Sequence, residues 1–186
     1  MIELPTVVFL DRDGTIIRDA SYLSRADDVE LLPGAADAIT RLNDRGIPVI
    51  VVTNQSGIAR GRFTTSDYQL TERRLDELLS DRNAHLDATY FCPDHPEFTG
   101  ACACRKPGTL LFERAASEHG LAMSRPAFVG DRWRDIAPYR TLGGTPVLIE
   151  GPSTPREDLE IARGAGIHVA SSLAAAVDHL IGEAAQ

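Results

Sequence analysis

One stretch constrains this chain more than any other. It is the apolar run that ends on two carboxylates and a glycine, Val7-Val8-Phe9-Leu10-Asp11-Arg12-Asp13-Gly14-Thr15. Val7 to Leu10 read as a short buried strand. Asp11 and Asp13 are two apart, so an extended backbone points both to the same side. Gly14 lets the chain turn sharply just after them. Two like charges at the mouth of a buried strand repel unless something positive sits between them. A divalent cation answers that need, and Mg2+ prefers hard oxygen ligands. A carboxylate so held can also act as a nucleophile toward phosphorus. The competing reading is a solvated Asp-x-Asp-Gly turn. The choice depends on whether the partners such chemistry needs appear further along.

Strand-like and helix-like segments alternate after that point. Residues 12–24 are polar and irregular. Pro33 and Gly34 precede an amphipathic helix with Ala36, Ile39 and Leu42 at helical spacing, ending near Gly46. Ile47 to Val52 is a second β-branched run, and a helix between two such strands implies a parallel pair with a right-handed crossover. Thr64 to Asp67 offer N-caps for a helix reaching about Arg82. Further strands are expected at 86–91, 127–130, 145–149 and 167–170. Further helices are expected at 110–119, 136–142 (opening from Asp131), 155–163 and 173–181. The expectation is one α/β domain over 1–186 with a doubly wound, mostly parallel sheet, whose site lies at the carboxyl ends of the strands.

The candidate partners all follow strands. Thr53, at the tip of the second strand, can hold a phosphoryl oxygen as charge develops. Lys106 lies in the loop after the third strand and can offset the charge of the aspartates and of a transferring phosphoryl group. Asp131 opens a helix straight after the fourth strand and can complete a Mg2+ shell. Asp135, one turn on, reads either as a supporting partner or as a solvated carboxylate. In isolation Thr53 is a turn cap and Lys106 a surface cation, but chance would not put every such residue at the same sheet edge.

All three cysteines gather in one polar loop as Cys92-x-x-His95 and Cys102-x-Cys104. An odd number in such a cluster is a poor disulfide framework. Three thiolates and one imidazole make a closed tetrahedral zinc site. Such a site would staple a loop poor in apolar residues and position the adjoining Arg105 and Lys106.

Taken together, these residues resemble the four motifs of phosphatases of the haloacid dehalogenase superfamily, over nearly the whole chain. The closest subgroup is that of heptose-bisphosphate and histidinol-phosphate phosphatases. The markers are Phe9 to Thr15, then Thr53-Asn54-Gln55-Ser56-Gly57-Ile58-Ala59-Arg60-Gly61, then Cys102-Ala103-Cys104-Arg105-Lys106-Pro107. The resemblance implies release of the 7-phosphate of a heptose 1,7-bisphosphate through an aspartyl-phosphate, with histidinol phosphate as the alternative substrate. A different class, a homologue that only binds a phosphometabolite, is disfavoured because no expected group is missing. Asp11 would be the nucleophile and Asp13 the general acid and base. Asp11, the backbone carbonyl of Asp13 and Asp131 would hold Mg2+. Thr53 and Lys106 would steady the phosphoryl group, and Arg105 would help recognise the substrate. Asp19, Ser21, Tyr22, Asn54, Gln55 and Ser56 would line the sugar site, although Tyr22 reads equally as a packed loop aromatic. Arg60 and Arg62 reach either a second phosphate or solvent. The family pattern is Cys-x-His, and here Asp94 stands where that histidine would be. Nitrogen suits zinc beside thiolates, so His95 is the expected fourth ligand and Asp94 the oxygen alternative.

The formal charge of −8, from 19 Lys and Arg against 27 Asp and Glu, argues against nucleic acid as a partner. It leaves room for a small phosphorylated substrate held by local charges. No apolar run approaches the roughly 20 residues of a membrane span. With no basic region and apolar stretch at its start, the chain is expected in the cytoplasm. The segments after Asp13 and Cys92 are too short for a cap domain, so the site is expected to be open, on a monomer.

Overall fold

The computed structural model describes residues 3–182. Its elements run in the order β1 (Val7–Leu10), α1 (Ala35–Asn43), β2 (Val49–Asn54), α2 (Thr65–Ser80), β3 (Ala88–Cys92), α3 (Pro96–Thr99), α4 (Leu110–Glu118), β4 (Pro126–Gly130), α5 (Trp133–Ile136), α6 (Tyr139–Leu142), β5 (Thr145–Ile149), α7 (Arg156–Gly164), β6 (His168–Ala170) and α8 (Leu173–Ile181). The six strands form one sheet in the order β3-β2-β1-β4-β5-β6. All five pairings are parallel. The chain therefore winds one way from β1 to β3 and the other way from β4 to β6. The switch falls between β1 and β4, where sheets of this kind place their ligands.

The two faces of the sheet bury different residues of the same strands, as alternation along a strand requires. Val8, Leu10, Val49 and Val51 pack with Ile39 and Leu42 of α1, Leu75 and Leu79 of α2, and Val177 and Leu180 of α8. Val7, Phe9, Ile50 and Val52 face the other way, onto Leu111 and Phe112 of α4 and Leu159 of α7. There Phe9 meets Phe112 edge-on at 5.1 Å and stacks on Phe128 at 5.5 Å. This aromatic set locks β1 to β4 directly beneath the aspartates. Leu42, wholly buried, illustrates the scale: truncation to Ala removes on the order of 2–5 kcal/mol.

The second strand and the two edge strands start one or two residues later than the sequence suggests. The larger difference is at 131–142, where one helix was expected and two short ones form. Pro138 lacks the N–H that would continue the ladder, so α5 ends and α6 restarts from it. The segment between β1 and α1 carries a 3₁₀ turn at Ala26–Asp28 and isolated bridges at Ile17 to Asp13 and Leu31. It lies over the strand ends as a small flap rather than a separate layer. No helix among the described residues is long and apolar enough to cross a membrane.

Candidate active site

Backbone geometry brings three carboxylates together. Asp11 leaves β1, and its N–H is bonded to the carbonyl of Val129 in β4 at 2.9 Å. Asp131 follows β4 directly. Asp135 sits in the first turn of α5, its Oδ2 accepting from the Arg132 N–H at 3.0 Å. Each of the three can place an oxygen within 4.8 Å of the others. All three are buried, Asp135 only 4% exposed, so the solvated reading of Asp135 falls away. Gly130 makes this possible, because a Cβ there would collide with the Cβ of Asp135. Gly14 does the same for Asp131. It adopts φ +84, and a Cβ would stand 2.5 Å from Asp131 Oδ2.

Lys106 reaches into this cluster. Its Nζ lies 2.5 Å from Asp11 Oδ1 and 2.8 Å from Asp135 Oδ1, and donates to the carbonyl of Val52. Lys106 meets Asp11 and Asp135, and Arg132 Nε stands 3.4 Å from Asp131 Oδ2, so two cations face three carboxylates and negative charge is in excess. The acids respond. Burial above all, then the Asp135 charge, pushes Asp11 up to about 8 even against the pull of Lys106. Burial, then Asp135, pushes Asp131 up to about 6. Burial opposes the charge on Lys106, but Asp11 and Asp135 more than compensate and raise it above its ordinary value. Buried, oxygen-only and over-charged, the pocket suits a hard divalent cation.

Asp13 faces the cleft and is held differently. The Arg12 guanidinium grips both its oxygens at 3.1 Å. Gln55 Nε2 donates to Asp13 Oδ2 and to Thr53 Oγ1, each at 2.9 Å. The Thr53 hydroxyl, filled as an acceptor, keeps its own O–H to donate into the cleft. Asn54 exchanges hydrogen bonds with the backbone of Lys106, accepting at 3.0 Å and donating at 3.2 Å. Gln55 and Asn54, expected to line the sugar site, also position Asp13, Thr53 and Lys106.

Asp11, Asp13, Asp19, Ser21, Tyr22, Thr53, Asn54, Gln55, Ser56 and Asp131 line one cleft of about 260 Å³, joined by Phe63, Arg132 and Arg134. Ser21 and Tyr22 both have positive φ, 47 and 71, and the Ser21 N–H closes a turn on Asp19 Oδ1 at 3.0 Å. Tyr22 is largely exposed at the rim, with the Arg62 guanidinium 5.8 Å above its ring, so it is not a packed loop aromatic. Arg105 is not part of the cleft lining; it donates to the carbonyl of Asp94 at 3.2 Å. Arg60 turns away toward Phe98 and His95.

Cys92, Cys102 and Cys104 meet beyond the cleft. The Cys92 and Cys104 sulfurs are in direct contact, and the Cys102 sulfur lies 3.5 Å from the first and 3.1 Å from the second. The carboxylate gathered with them is Asp94, whose Oδ2 is 3.5 Å from Cys104 Sγ. His95 was the expected fourth group, and the structure turns it elsewhere. It caps α3, its Nδ1 accepting from the Glu97 N–H at 3.3 Å, and its Nε2 lies 2.9 Å from the Arg60 guanidinium.

Arg12 went unread in the sequence, although it is 1% exposed. Its partners, Thr71 at 3.0 Å and Glu72 at 2.7 Å, lie about 60 positions away on α2.

Two family models match the chain, one described as haloacid dehalogenase-like hydrolase over residues 8–71 and one as HAD-hydrolase-like over 103–176. A D-glycero-beta-D-manno-heptose-1,7-bisphosphate 7-phosphatase of Escherichia coli O6:H1 is 40% identical over 159 residues, 81% of this chain and 84% of that one. A D-glycero-D-manno-heptose-1,7-bisphosphate 7-phosphatase of Thermosynechococcus vestitus is 40% identical over 152 residues, 77% of this chain and 78% of that one. A crystal structure of the D,D-heptose 1,7-bisphosphate phosphatase of B. bronchiseptica, complexed with magnesium and phosphate, superposes with a TM-score of 0.84 at 32% identity. That match covers 96% of this chain and 99% of the other.

Proposed function

The chain belongs to the haloacid dehalogenase-like hydrolases, and on that footing we propose that it is a phosphatase removing the 7-phosphate of D-glycero-D-manno-heptose 1,7-bisphosphate. The single observation that carries the reading is the buried set Asp11, Asp131 and Asp135 closed by Lys106, with Asp13 beside it facing the cleft. Relatives about 40% identical over most of both chains carry the substrate assignment.

Asp11 and Asp131, with the backbone carbonyl of Asp13, would hold Mg2+, which supplies charge neutralisation for the phosphoryl oxygens. Asp135 acts through Lys106, holding the ammonium against Asp11 from the other side. An Asp11 carboxylate oxygen attacks phosphorus, and the bond from phosphorus to the C7 oxygen breaks. Asp13 delivers its proton to that oxygen, so the sugar departs as an alcohol. In the second half Asp13 takes a proton from water, the hydroxyl oxygen attacks phosphorus, and Asp11 leaves as carboxylate. The Thr53 hydroxyl and the Lys106 ammonium face the oxygens on which charge develops. The rim formed by Asp19, Ser21, Tyr22 and Ser56 receives the sugar, with Arg132 and Arg134 facing the second phosphate.

The cysteine loop is read as a structural zinc site of Cys92, Cys102 and Cys104, with Asp94 as the nearest fourth ligand. Three soft thiols drawn together in a polar loop fit that metal.

The test is phosphate release in the presence of Mg2+ from both anomers of the heptose bisphosphate and from histidinol phosphate, with Asp11→Asn as control. Preferred release from a heptose bisphosphate, lost in Asp11→Asn, is the expected result. Preference for histidinol phosphate would overturn the substrate, and full activity of Asp11→Asn would overturn the nucleophile.

A further inference from the structure

We propose that Arg12 is a positioning residue for the reaction: it sets the orientation of the Asp13 carboxylate, and α2 is the anchor it works from. This rests on the reading of Asp13 as the proton donor and acceptor.

The carboxylates of the site are not held alike. Asp11, Asp131 and Asp135 are buried, with side chains 9%, 2% and 2% exposed, and are held by Lys106 or Arg132 within the cluster. The Asp13 side chain is 22% exposed and opens on the cleft, so packing alone does not fix it. A proton donor in that position must still point one way, because a small misplacement costs a large share of the rate. Gln55 Nε2 bonds one oxygen of Asp13, Oδ2, at 2.9 Å, and the guanidinium of Arg12 constrains both. It presents two N–H groups to the two oxygens of Asp13, Nε to Oδ2 and Nη2 to Oδ1, both at 3.1 Å. Such a fork fixes the plane of a carboxylate as well as its place, which one ammonium cannot do.

A grip of this kind works only if the guanidinium itself is immobile. Arg12 Nη1 donates to Glu72 Oε1 at 2.7 Å and to Thr71 Oγ1 at 3.0 Å. The guanidinium lies over the Tyr68 ring, 5.0 Å from its centroid. All three partners belong to α2, whose start is clamped by the Thr64 and Asp67 capping box. The side chain is 1% exposed, so water does not screen these pairs as it would on a surface. The plane of Asp13 is thereby referred to a sixteen-residue helix rather than to the flap beside it.

The alternative is that Arg12 merely ties β1 to α2. The two roles differ in how a loss depends on the leaving group. The value of kcat/KM reports the steps up to departure of the alcohol, where Asp13 gives its proton. A sugar oxygen needs that proton; a p-nitrophenolate hardly does. Arg12→Gln, Arg12→Lys and Glu72→Gln would be compared with the parent on the heptose bisphosphate and on p-nitrophenyl phosphate. For Arg12→Gln the expected result is a fall in kcat/KM of about 100-fold on the sugar phosphate and under about fivefold on the aryl phosphate. Arg12→Lys should recover part of the loss, and Glu72→Gln should show the same contrast at smaller size if Arg12→Gln does not fold. Equal losses on both substrates, or no loss, would overturn the proposal.

If the parent hydrolyses the aryl phosphate but not the heptose bisphosphate, the proposed substrate fails and the contrast is read on glycerol phosphate instead. A crystal structure of Arg12→Gln, or of Glu72→Gln, decides independently of turnover. Displacement of the Asp13 carboxylate from Gln55 is expected in either, and an unmoved Asp13 in both would refute the role.

Discussion

The ammonium of Lys106 lies 2.5 Å from Asp11 Oδ1 although 95 positions separate the two in the chain. Asn54 makes the approach possible by bonding both the N–H and the carbonyl of Lys106, which pins the loop to the end of β2. Lys106→Met removes the only cation touching Asp11 among the described residues. Two effects follow. The buried carboxylates lose their partner, and the native state is destabilised by about 3–5 kcal/mol in metal-free buffer. The charge on the transferring phosphoryl group also loses its nearest counter-charge, and kcat falls on the order of 10²–10³-fold. Urea unfolding and steady-state phosphate release measure the two separately, and added Mg2+ is expected to restore most of the stability but not the turnover.

Stability of the metal-free protein should fall as pH rises. Asp11 is pushed up to about 8 and Asp131 to about 6, in both cases chiefly by burial. From the ordinary carboxylate range up to about pH 8 the folded chain therefore binds more protons than the unfolded one. The unfolding free energy has a negative slope with pH wherever that holds. Lys106 is raised as well, so its contribution persists to pH values above this window and does not reverse the trend. The urea midpoint in the presence of a chelator is expected to drop steadily between about pH 5 and about pH 8. Asp131→Asn should flatten the lower part of that slope. Saturating Mg2+ should flatten all of it, and a midpoint that rises with pH under chelation would contradict the assigned shifts.

Gly14 and Gly46 separate the cost of a backbone from the cost of a site. Both have positive φ, +84 and +64, but a Cβ on Gly46 meets nothing within 4 Å, whereas one on Gly14 stands 2.5 Å from Asp131 Oδ2. Gly46→Ala should cost about 1 kcal/mol of stability and leave activity intact. Gly14→Ala should displace the Asp131 carboxylate as well, and activity should fall more than tenfold, with most of the loss in the Mg2+ concentration needed for half-maximal rate. Titrating Mg2+ against both variants checks this.

The parts of the site that lie next to a strand end were legible because one periodicity governs both fold and function. An apolar run that stops at a polar residue announces where that residue will stand, and Asp11, Thr53 and Asp131 all follow this rule. Asp135 was not decidable. Spacing along a helix puts it on the same side as Asp131 but does not say whether that side is wet. The answer lay in Gly130, whose missing side chain lets Asp135 sit down on β4. Arg12 was invisible for a related reason. A buried arginine is tolerable only with partners, and these sit on a helix about 60 positions on. Asn54 and Gln55 were expected at the sugar site through the family resemblance alone. They line the cleft, and their amides also bond Lys106 and Asp13 with Thr53, pairings that depend on where a distant loop lands.

The cysteine loop gives the sharpest disagreement between residue chemistry and placement, and so a clear test. Imidazole is the better zinc ligand beside thiolates, yet His95 is engaged as the cap of α3 and against Arg60, while Asp94 points at Cys104. Swinging His95 inward would break the cap and release Arg60. Asp94→Ala is therefore expected to lose most of the bound zinc, measured as metal content of protein purified without added zinc or chelator. His95→Ala should retain close to one zinc per chain. Because Arg105 and Lys106 follow Cys104 directly, loss of zinc in Asp94→Ala should also lower kcat about tenfold, and zinc added back should recover it. The reverse ranking, with His95→Ala losing the metal and Asp94→Ala keeping it, would put the imidazole in the zinc shell and require the loop to rearrange when metal binds.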